Sequence, residues 1–260
     1  MRLTVLSDSK AMDGFDAEHG LSFLIEEDQV QVLFDTGASD VFSRNAQKLG
    51  IDLGRVNTLV LSHGHWDHGN GLQYISGKPL LCHPGCFEKR FHKTGNGNLG
   101  LALSREKIEK RFQLITSKDP VRLSEQIWFL GEVPRINDFE GKATKYVLEG
   151  GAEDYIMDDS GLACITGNGL VVISGCAHSG ICNMVEHAVQ VTGIDQVEGV
   201  VGGFHLREVN AQTENTIEYF THKGIRRVYP SHCTMDPALG RFHDEFGMNE
   251  VVAGTTIEFI

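Results

Sequence analysis

His63-Gly64-His65-Trp66-Asp67-His68 is the stretch of this 260-residue chain that decides how the rest is interpreted. Three imidazoles and one carboxylate fall within six residues, directly after the apolar segment 58–62, which is predicted to be a strand. An extended turn directs His63 and His65 to one side and lets Asp67 and His68 turn to the other, so one loop supplies ligands to two neighbouring metal positions. Four ligands do not complete two sites, and the others must come from elsewhere in the chain.

The composition is that of an ordinary globular protein, with 41% hydrophobic and 22% charged residues. A formal net charge of −12 argues against a nucleic-acid-binding surface over most of the molecule. The N-terminus lacks a secretion-signal pattern, and no apolar run is long enough to span a membrane. Neither secretion nor membrane insertion is therefore predicted. The six scattered cysteines are interpreted as thiols of a reducing cytoplasm. The expected partner is a small-molecule substrate, and a homo-oligomer is compatible with the sequence.

Short runs rich in Val, Ile, Leu and Phe alternate with longer amphipathic segments, which predicts a mixed α/β fold. Ser39 is the expected N-cap of the first helix, Gly50 the glycine after its last turn, and hairpin signals occur at Glu27-Asp28 and Gly167-Asn168-Gly169. The predicted strands are 3–6, 21–26, 30–35, 58–62, 80–83, 126–130, 162–166, 170–174, 197–202 and 227–230. The predicted helices are 39–49, 70–76, 105–111, 181–191 and 212–223.

The segment 84–122 is predicted to be a basic, glycine-containing insertion. Residues 89–122 hold nine Lys or Arg against three Asp or Glu, a net charge of +6 in an otherwise acidic chain. A basic segment that follows the metal loop favours an anionic substrate, and Lys89, Arg90 and Arg135 are the expected contacts of its phosphate or carboxylate group. The alternative interpretation is a solvated helix with Glu/Lys pairs over 105–111.

Two motifs together resemble the metallo-β-lactamase superfamily. The H-x-H-x-D-H loop is one, and Asp35-Thr36-Gly37 after the strand 30–35 is the other. Later stretches resemble the subfamily that includes the archaeal 7,8-dihydropterin-6-methyl-4-(β-D-ribofuranosyl)aminobenzene 5′-phosphate synthase. They are GEVPRINDFE (131–140), the pair Asp158-Asp159, SGCAHSGI (174–181), GGFHL (202–206) and PSHCT (230–234). The resemblance implies a single α/β domain over 1–260, a four-layer αββα sandwich of two mixed sheets with helices outside.

The resemblance also implies a set of metal ligands. His63, His65, Asp67 and His68 match the metal loop, and His232 matches the last metal-binding histidine. Where most relatives have Gly-Asp, this chain has Gly175-Cys176-Ala177-His178. The remaining ligand roles have four candidates, namely Asp158, Asp159, Cys176 and His178. The histidine is favoured because a neutral imidazole at a strand end suits zinc or iron, and because the two aspartates precede a strand rather than follow one. Two divalent ions are expected, with zinc as the first candidate and iron or manganese as alternatives.

Two further side chains are expected near the metals. Asp35 is predicted to hold a metal-binding histidine or a loop amide, which fixes the imidazole tautomer; the alternative is an ordinary turn aspartate. His205 follows a central strand and is predicted to contact the substrate or leaving group, against the alternative of a structural histidine.

The predicted activity is hydrolysis of a small, phosphate- or carboxylate-bearing substrate by a metal-activated water, which Asp67 orients. The resemblance implies an alternative, a transferase that condenses a dihydropterin pyrophosphate with a ribofuranosylaminobenzene phosphate. A second alternative is a metal-binding regulator without catalysis. The regulator is disfavoured because the metal loop is intact from His63 to His68.

Overall fold

The computed structural model describes residues 1–95 and 97–260. Its strands are β1 Arg2–Ser7, β2 Ser22–Glu27, β3 Val30–Phe34, β4 Thr58–Val60, β5 Pro79–Cys82, β6 Arg90–His92, β7 Gln113–Thr116, β8 Val121–Arg122, β9 Ile127–Phe129, β10 Tyr146–Leu148, β11 Glu153–Asp154, β12 Gly161–Thr166, β13 Gly169–Ser174, β14 Val197–Gly203, β15 Arg227–Ser231 and β16 Thr256–Glu258. Its α-helices are α1 Val41–Lys48, α2 Trp66–Gly69, α3 Arg105–Glu109, α4 Ile181–Thr192, α5 Ala211–His222 and α6 Asp236–Phe246. Short 3₁₀ helices occupy Leu53–Arg55, Asn70–Gln73 and Pro84–Phe87.

Two large mixed sheets form the centre of the molecule. One has seven strands in the order β16-β1-β2-β3-β4-β5-β7, and the other has six in the order β15-β14-β13-β12-β9-β8. A small third sheet, β11-β10-β6, stands apart from both. Strands β3, β4, β5 and β7 run parallel, and so do β13, β14 and β15. Their carboxyl ends therefore meet at one edge of each sheet, where α/β folds place ligand sites.

The packing of apolar side chains defines four layers. Between the two sheets, residues such as Phe23 and Phe34 from one sheet meet Ile173 and Val201 from the other. The outer face of the seven-stranded sheet packs with α1 and α3, and that of the six-stranded sheet packs with α4, α5 and α6. Side chains alternate between these cores along each strand because successive residues of a strand point to opposite faces. The predicted αββα sandwich is confirmed.

All ten predicted strands are present, with end residues that differ by one or two positions. Both hairpins also form as predicted, since β2 pairs with β3 and β12 with β13 in antiparallel fashion. Helix α6 and the short strands β6, β7, β8, β10, β11 and β16 lie outside the predictions.

Two local predictions need correction. The predicted helix 70–76 is a 3₁₀ helix over Asn70–Gln73, in which the Tyr74 amide donates to the Gly71 carbonyl three residues earlier. Ser39 is not the N-cap of α1: that position belongs to Asp40, and the Ser39 hydroxyl donates to the Glu18 carboxylate. Gly50 follows the helix in the left-handed conformation, with φ 71°, as predicted.

The segment 84–122 is divided among three sheets. β6 belongs to the small sheet, while β7 extends the seven-stranded sheet and β8 the six-stranded one. The predicted helix 105–111 appears as α3, and its Arg105–Glu109 and Lys110–Glu106 pairs are exposed. None of the described helices has the length and apolarity needed to cross a membrane.

Candidate metal centre

The candidate site lies where strands of both large sheets end. At these ends the backbone turns sharply through the left-handed region, with φ values of 52–58° at Asp35, Ala177, His205 and His232. Residues other than glycine adopt this conformation rarely, because their Cβ then crowds the following carbonyl. Such strain persists only where the surrounding structure imposes it, and it collects at functional sites.

The metal loop leaves β4 and is held in place by backbone contacts. The Gly64 amide donates to the Asp158 carboxylate at 2.7 Å, and the Trp66 amide donates to the Leu99 carbonyl at 3.0 Å. A Cβ at Gly64 would lie 2.1 Å from the Cys86 carbonyl oxygen, so the loop packs against that backbone only with glycine at this position. The close fit fixes the backbone of the metal loop and therefore the positions from which its side chains project.

The first triad consists of His63, His65 and His178, whose ligand nitrogens lie within 4.8 Å of one another. His63 Nε2 is 2.9 Å from His65 Nδ1, and the His178 ring lies about edge-on to both. The loop after β4 supplies two of these imidazoles and the loop after β13 supplies the third. The structure thus brings His178, one of the four candidates from the sequence, next to the metal loop.

The second triad consists of Asp67, His68 and His232, again with ligand atoms within 4.8 Å. His68 Nε2 is 3.1 Å from His232 Nε2, and Asp67 Oδ2 is 3.4 Å from the same His232 nitrogen. His232 reaches this position from the end of β15, so the second triad also joins the two sheets. The metal loop thus contributes His63 and His65 to the first triad and Asp67 and His68 to the second.

Cys176 lies between the triads, and its Sγ is 3.2 Å from His68 Nε2. The thiol also falls within 4.8 Å of ligand atoms of His63, and on its other side within the same distance of Cys233 and His205. All six cysteines are free and buried. Burial raises the pKa of the Cys176 thiol well above its usual value, so it stays protonated unless a cation is bound beside it.

Burial governs the charge state of the first triad. It lowers the pKa of His65 to about 3 and that of His63 and His178 well below the usual value, with further lowering by neighbouring cationic groups. All three imidazoles are therefore neutral at pH 7. Neutral imidazole is the form that binds a metal ion.

The second triad contains a pair of opposite charges. Burial favours a neutral Asp67, but the adjacent His68 and His232 outweigh it and hold the pKa of this carboxyl far below its usual range. Burial likewise lowers the pKa of His232, yet its hydrogen bond to Asp67 prevails and raises the pKa to about 9. A cation binding here replaces that proton, which makes its affinity dependent on pH.

The donor set fits divalent metal ions. Nitrogens bound to one tetrahedral zinc stand about 3.4 Å apart, given bond lengths of about 2.0–2.1 Å. The 2.9 Å and 3.1 Å separations within the triads are close to this value. Nε2 of His178 is buried without a hydrogen-bond partner among the described residues, a costly state for a polar atom unless it binds something.

Asp158 and Asp159, the other candidates for ligands, are used as structural groups. Asp158 accepts from the Gly64 amide and pairs with Arg90, while Asp159 accepts from the amide and hydroxyl of Ser179. The carboxylate of each residue therefore fixes a loop that carries histidines. Neither residue belongs to a metal-ligand group among the described residues.

The three cationic residues expected to contact an anionic substrate do not line the cavity beside the triads. Arg90 is 1% exposed, and its guanidinium contacts Asp158, Asp154 and the Gly85 carbonyl. The prediction that Arg90 binds substrate is corrected: two buried carboxylates occupy it, because an unpaired buried charge would be costly. Lys89 is exposed and pairs with Glu149, and Arg135 donates to the carbonyls of Tyr155 and Ile156.

Three side chains at the site have no counterpart in the sequence predictions. His19 stacks on His232, with its Nε2 3.4 Å from Asp67 Oδ2. The Tyr146 ring lies 5.1 Å from the His65 ring and covers the first triad. Arg207 lines a cavity of about 230 Å³ beside the triads, together with His205 and Tyr146. Only its position directly after Gly203-Phe204-His205-Leu206 could have indicated Arg207, since no local pattern marks the other two.

The class of protein follows from this fold and from this centre. A sequence model of the metallo-β-lactamase superfamily matches residues 16–112, which include both Asp35-Thr36-Gly37 and the metal loop. A solved structure of the β-lactamase superfamily is also 32% identical to this chain and covers all of it. The chain belongs to the metallo-β-lactamase superfamily.

Individual relatives narrow the comparison. One relative, 36% identical over 94% of this chain, is the 7,8-dihydropterin-6-methyl-4-(β-D-ribofuranosyl)-aminobenzene-5′-phosphate synthase of Methanocaldococcus jannaschii, and the similarity covers 91% of that synthase. An uncharacterized protein of the same organism is 32% identical over 91% of this chain and 92% of its own. The solved structure is that of a metal-dependent hydrolase of the β-lactamase superfamily, with a TM-score of 0.88 over 100% of this chain and 99% of that one.

Proposed function

We propose that this chain is a metal-dependent transferase that joins a dihydropterin methyl carbon to the amine of a ribofuranosylaminobenzene phosphate, with pyrophosphate as the leaving group. The observation that carries the proposal is the 36% identity to the synthase across 94% of this chain. The two triads and Cys176 supply the potential metal ligands that such a reaction needs. The proposal adopts the alternative to the hydrolase predicted first from the sequence.

The two triads would each hold one divalent ion, and zinc is the expected metal, with iron and manganese as alternatives. Such ions, when bound, lower the pKa of a bound water and stabilise negative charge on a departing oxygen. Cys176 would lie between them, where most relatives have an aspartate. Its Sγ lies within 4.8 Å of ligand atoms of both His63 and His68, which supports a role in holding the metal.

The remaining side chains bind and orient the reactants. The Tyr146 ring packs beside His65 and His178, with ring centroids 5.1 Å and 5.7 Å away, and would orient a reactant at the first triad. Burial raises the pKa of the Tyr146 hydroxyl to about 12, so that it remains a hydrogen-bond donor at neutral pH. Asp67 Oδ2, close to both His19 and His232, orients a nucleophile at the second triad.

His205 would act as the proton acceptor. Its side chain lines the cavity beside the triads, and its ring lies 4.4 Å from the His178 ring. In the transfer, the bond between the methylene carbon and the pyrophosphate oxygen breaks, and the electron pair leaves with the oxygen. A carbon–nitrogen bond forms to the amine, which releases one proton to the His205 imidazole.

Hydrolysis of a small anionic substrate is the second candidate. The solved metal-dependent hydrolase, 32% identical with a TM-score of 0.88, favours it. The same residues would serve, with water in place of the amine as the nucleophile. Transfer and hydrolysis therefore differ in what occupies the position next to His205.

The experiment supplies the metal-loaded protein with dihydropterin pyrophosphate in the presence or absence of the aminobenzene phosphate, and identifies products by mass spectrometry. The transferase gives the adduct and pyrophosphate only when the acceptor is present. A hydrolase gives the hydroxymethyl pterin and pyrophosphate in both cases, which would overturn transfer. The His65→Ala variant is the control, and undiminished activity of that variant after removal of metal would contradict both candidates.

A further inference from the structure

A second cavity, of about 420 Å³, opens next to the metal centre. It shares Tyr146, His178, His205 and Arg207 with the smaller cavity at the triads, so the two form one continuous cleft. The larger part of the cleft extends from the metal ligands towards the start of α5. A substrate whose reacting carbon lies at the metals therefore has its remote part in this larger cavity.

Three cationic side chains line the larger cavity. They are Lys142, Lys145 and Arg207, and each is exposed. The ion pairs nearby involve other residues, such as Lys93 with Glu153, and none joins these three cations to a carboxylate in the part of the chain that the structure describes. Glu208 is the one acid in the lining, which leaves a net charge of +2. An anion can bind here without first breaking an existing ion pair.

The N-terminal turn of α5 adds to this positive field. Asn210 and Gln212, which flank the first residue of this 12-residue helix, both line the cavity. The Asn210 side chain caps the Thr213 amide, while the first amides of any helix lack partners within the helix. A helix N-terminus carries partial positive charge and favours phosphate when cationic side chains are present as well.

Aromatic and apolar side chains also line the cavity. They are Phe139, Tyr146, Tyr155 and Ile156, and the Tyr155 hydroxyl already donates to the Glu153 carboxylate. The aromatic side chains accommodate a flat ring, whereas the cationic side chains accommodate an anion. The cavity thus fits a ligand that carries both.

We infer that this cavity binds the phosphate monoester of the acceptor substrate, with Lys145 and Arg207 as its main contacts and Lys142 at the rim. The inference rests on the proposed function for the identity of the reaction but on the cavity alone for the binding site. It moves the anion-binding role from Lys89, Arg90 and Arg135 to residues that flank β10 and follow β14.

The test measures binding to the metal-loaded protein by calorimetry, with inorganic phosphate and phenyl phosphate as the probes. In the Lys145→Ala/Arg207→Ala double variant, we expect the dissociation constant of both probes to rise about tenfold or more, because two charge-assisted contacts are lost. The Arg2→Ala/Lys89→Ala variant removes the same charges from exposed positions outside the cavity lining and should change it by about twofold or less. The conservative Lys145→Arg/Arg207→Lys variant should restore most of the affinity.

Phosphate bound to the metals is distinguished by chelation. Binding that survives in the alanine double variant but disappears on removal of metal would overturn the inference. Binding of inorganic phosphate with exclusion of phenyl phosphate would overturn the assignment to a phosphate monoester. The binding measurements need no turnover, so the two proposals can fail separately. If the wild type makes no adduct but the double variant binds the probes more weakly, the anion site is supported and the proposed reaction is refuted. If the double variant makes the adduct with an unchanged KM for the acceptor, the reaction is supported and the anion site is refuted.

Discussion

His68 Nδ1 lies 2.7 Å from Asp35 Oδ2, and both side chains are completely buried. Asp35 also accepts from the amide and the hydroxyl of Ser62, each at 2.7 Å, so its carboxylate is held at three points. This arrangement places the proton of His68 on Nδ1 and turns Nε2 towards Asp67, Cys176 and His232. The motif Asp35-Thr36-Gly37 thus acts on the metal loop 33 residues away in sequence.

Replacing Asp35 by Asn is expected to weaken metal binding about 10–100-fold, the usual effect of removing a carboxylate that orients a metal-binding imidazole. The Asn side chain keeps the shape of Asp but loses the charge that stabilises the Nδ1 proton of His68. Competition with a chelator of known affinity measures the change, with the exposed Asp13→Asn as the control. Equal affinity in the two variants would show that Asp35 acts only as a turn residue.

The two triads predict how individual ligands affect the metal content. His178→Ala should lose about one ion per chain from the first triad, and His232→Ala about one ion from the second. Asp159→Asn alters a buried carboxylate next to the site yet should retain both ions. Elemental analysis of the purified variants gives the counts, and a His178→Ala protein with its full metal content would remove His178 from the ligand set.

Arg90 offers a test of the structure beneath the metal loop. Arg90→Met leaves Asp154 and Asp158 buried without their cation, which typically costs about 3–5 kcal/mol of unfolding free energy. The adjacent Lys89→Met breaks an exposed pair with Glu149 and should cost about 0–1 kcal/mol. Urea unfolding measures both variants. Similar small losses would mean that the buried pair does not hold this region together.

Asp159 predicts a particular dependence of stability on pH. Burial raises the pKa of this carboxyl to about 6, in spite of the hydrogen bonds from Ser179 that lower it. The folded state therefore holds this proton more tightly than the unfolded state does. The resulting stability is present below the unfolded pKa of 3.8 and is lost as the pH rises through about 6.

Asp159→Asn stays neutral and escapes that loss. Relative to the wild type, the variant should gain up to about 3 kcal/mol between about pH 4 and about pH 7, and the difference should then level off. Urea unfolding of both proteins across this range makes the comparison, in which shared effects of the histidines cancel. A difference that does not change with pH would contradict the raised pKa.

Much of the fold was accessible from local sequence patterns. Apolar runs such as 170–174 and 197–202 predict strands that are buried on both faces. The glycines at 50, 167 and 169 mark turns that their backbone freedom permits. Short strands such as β6, β10 and β11 escaped prediction, since each is only two or three residues long and is stabilised by its neighbours rather than by its own pattern.

The sequence by itself determined the class of fold and the metal loop, because four ligands of one loop are close in space wherever that loop lies. Only the tertiary structure decided which distant residues join them. Asp158, Asp159, Cys176 and His178 are all polar groups near strand ends, and nothing local distinguishes a ligand from a structural carboxylate. The arrangement of the two sheets makes this distinction. It places His178 and Cys176 next to the metal loop, Arg90 in a buried ion pair beneath it and Arg207 in the cleft.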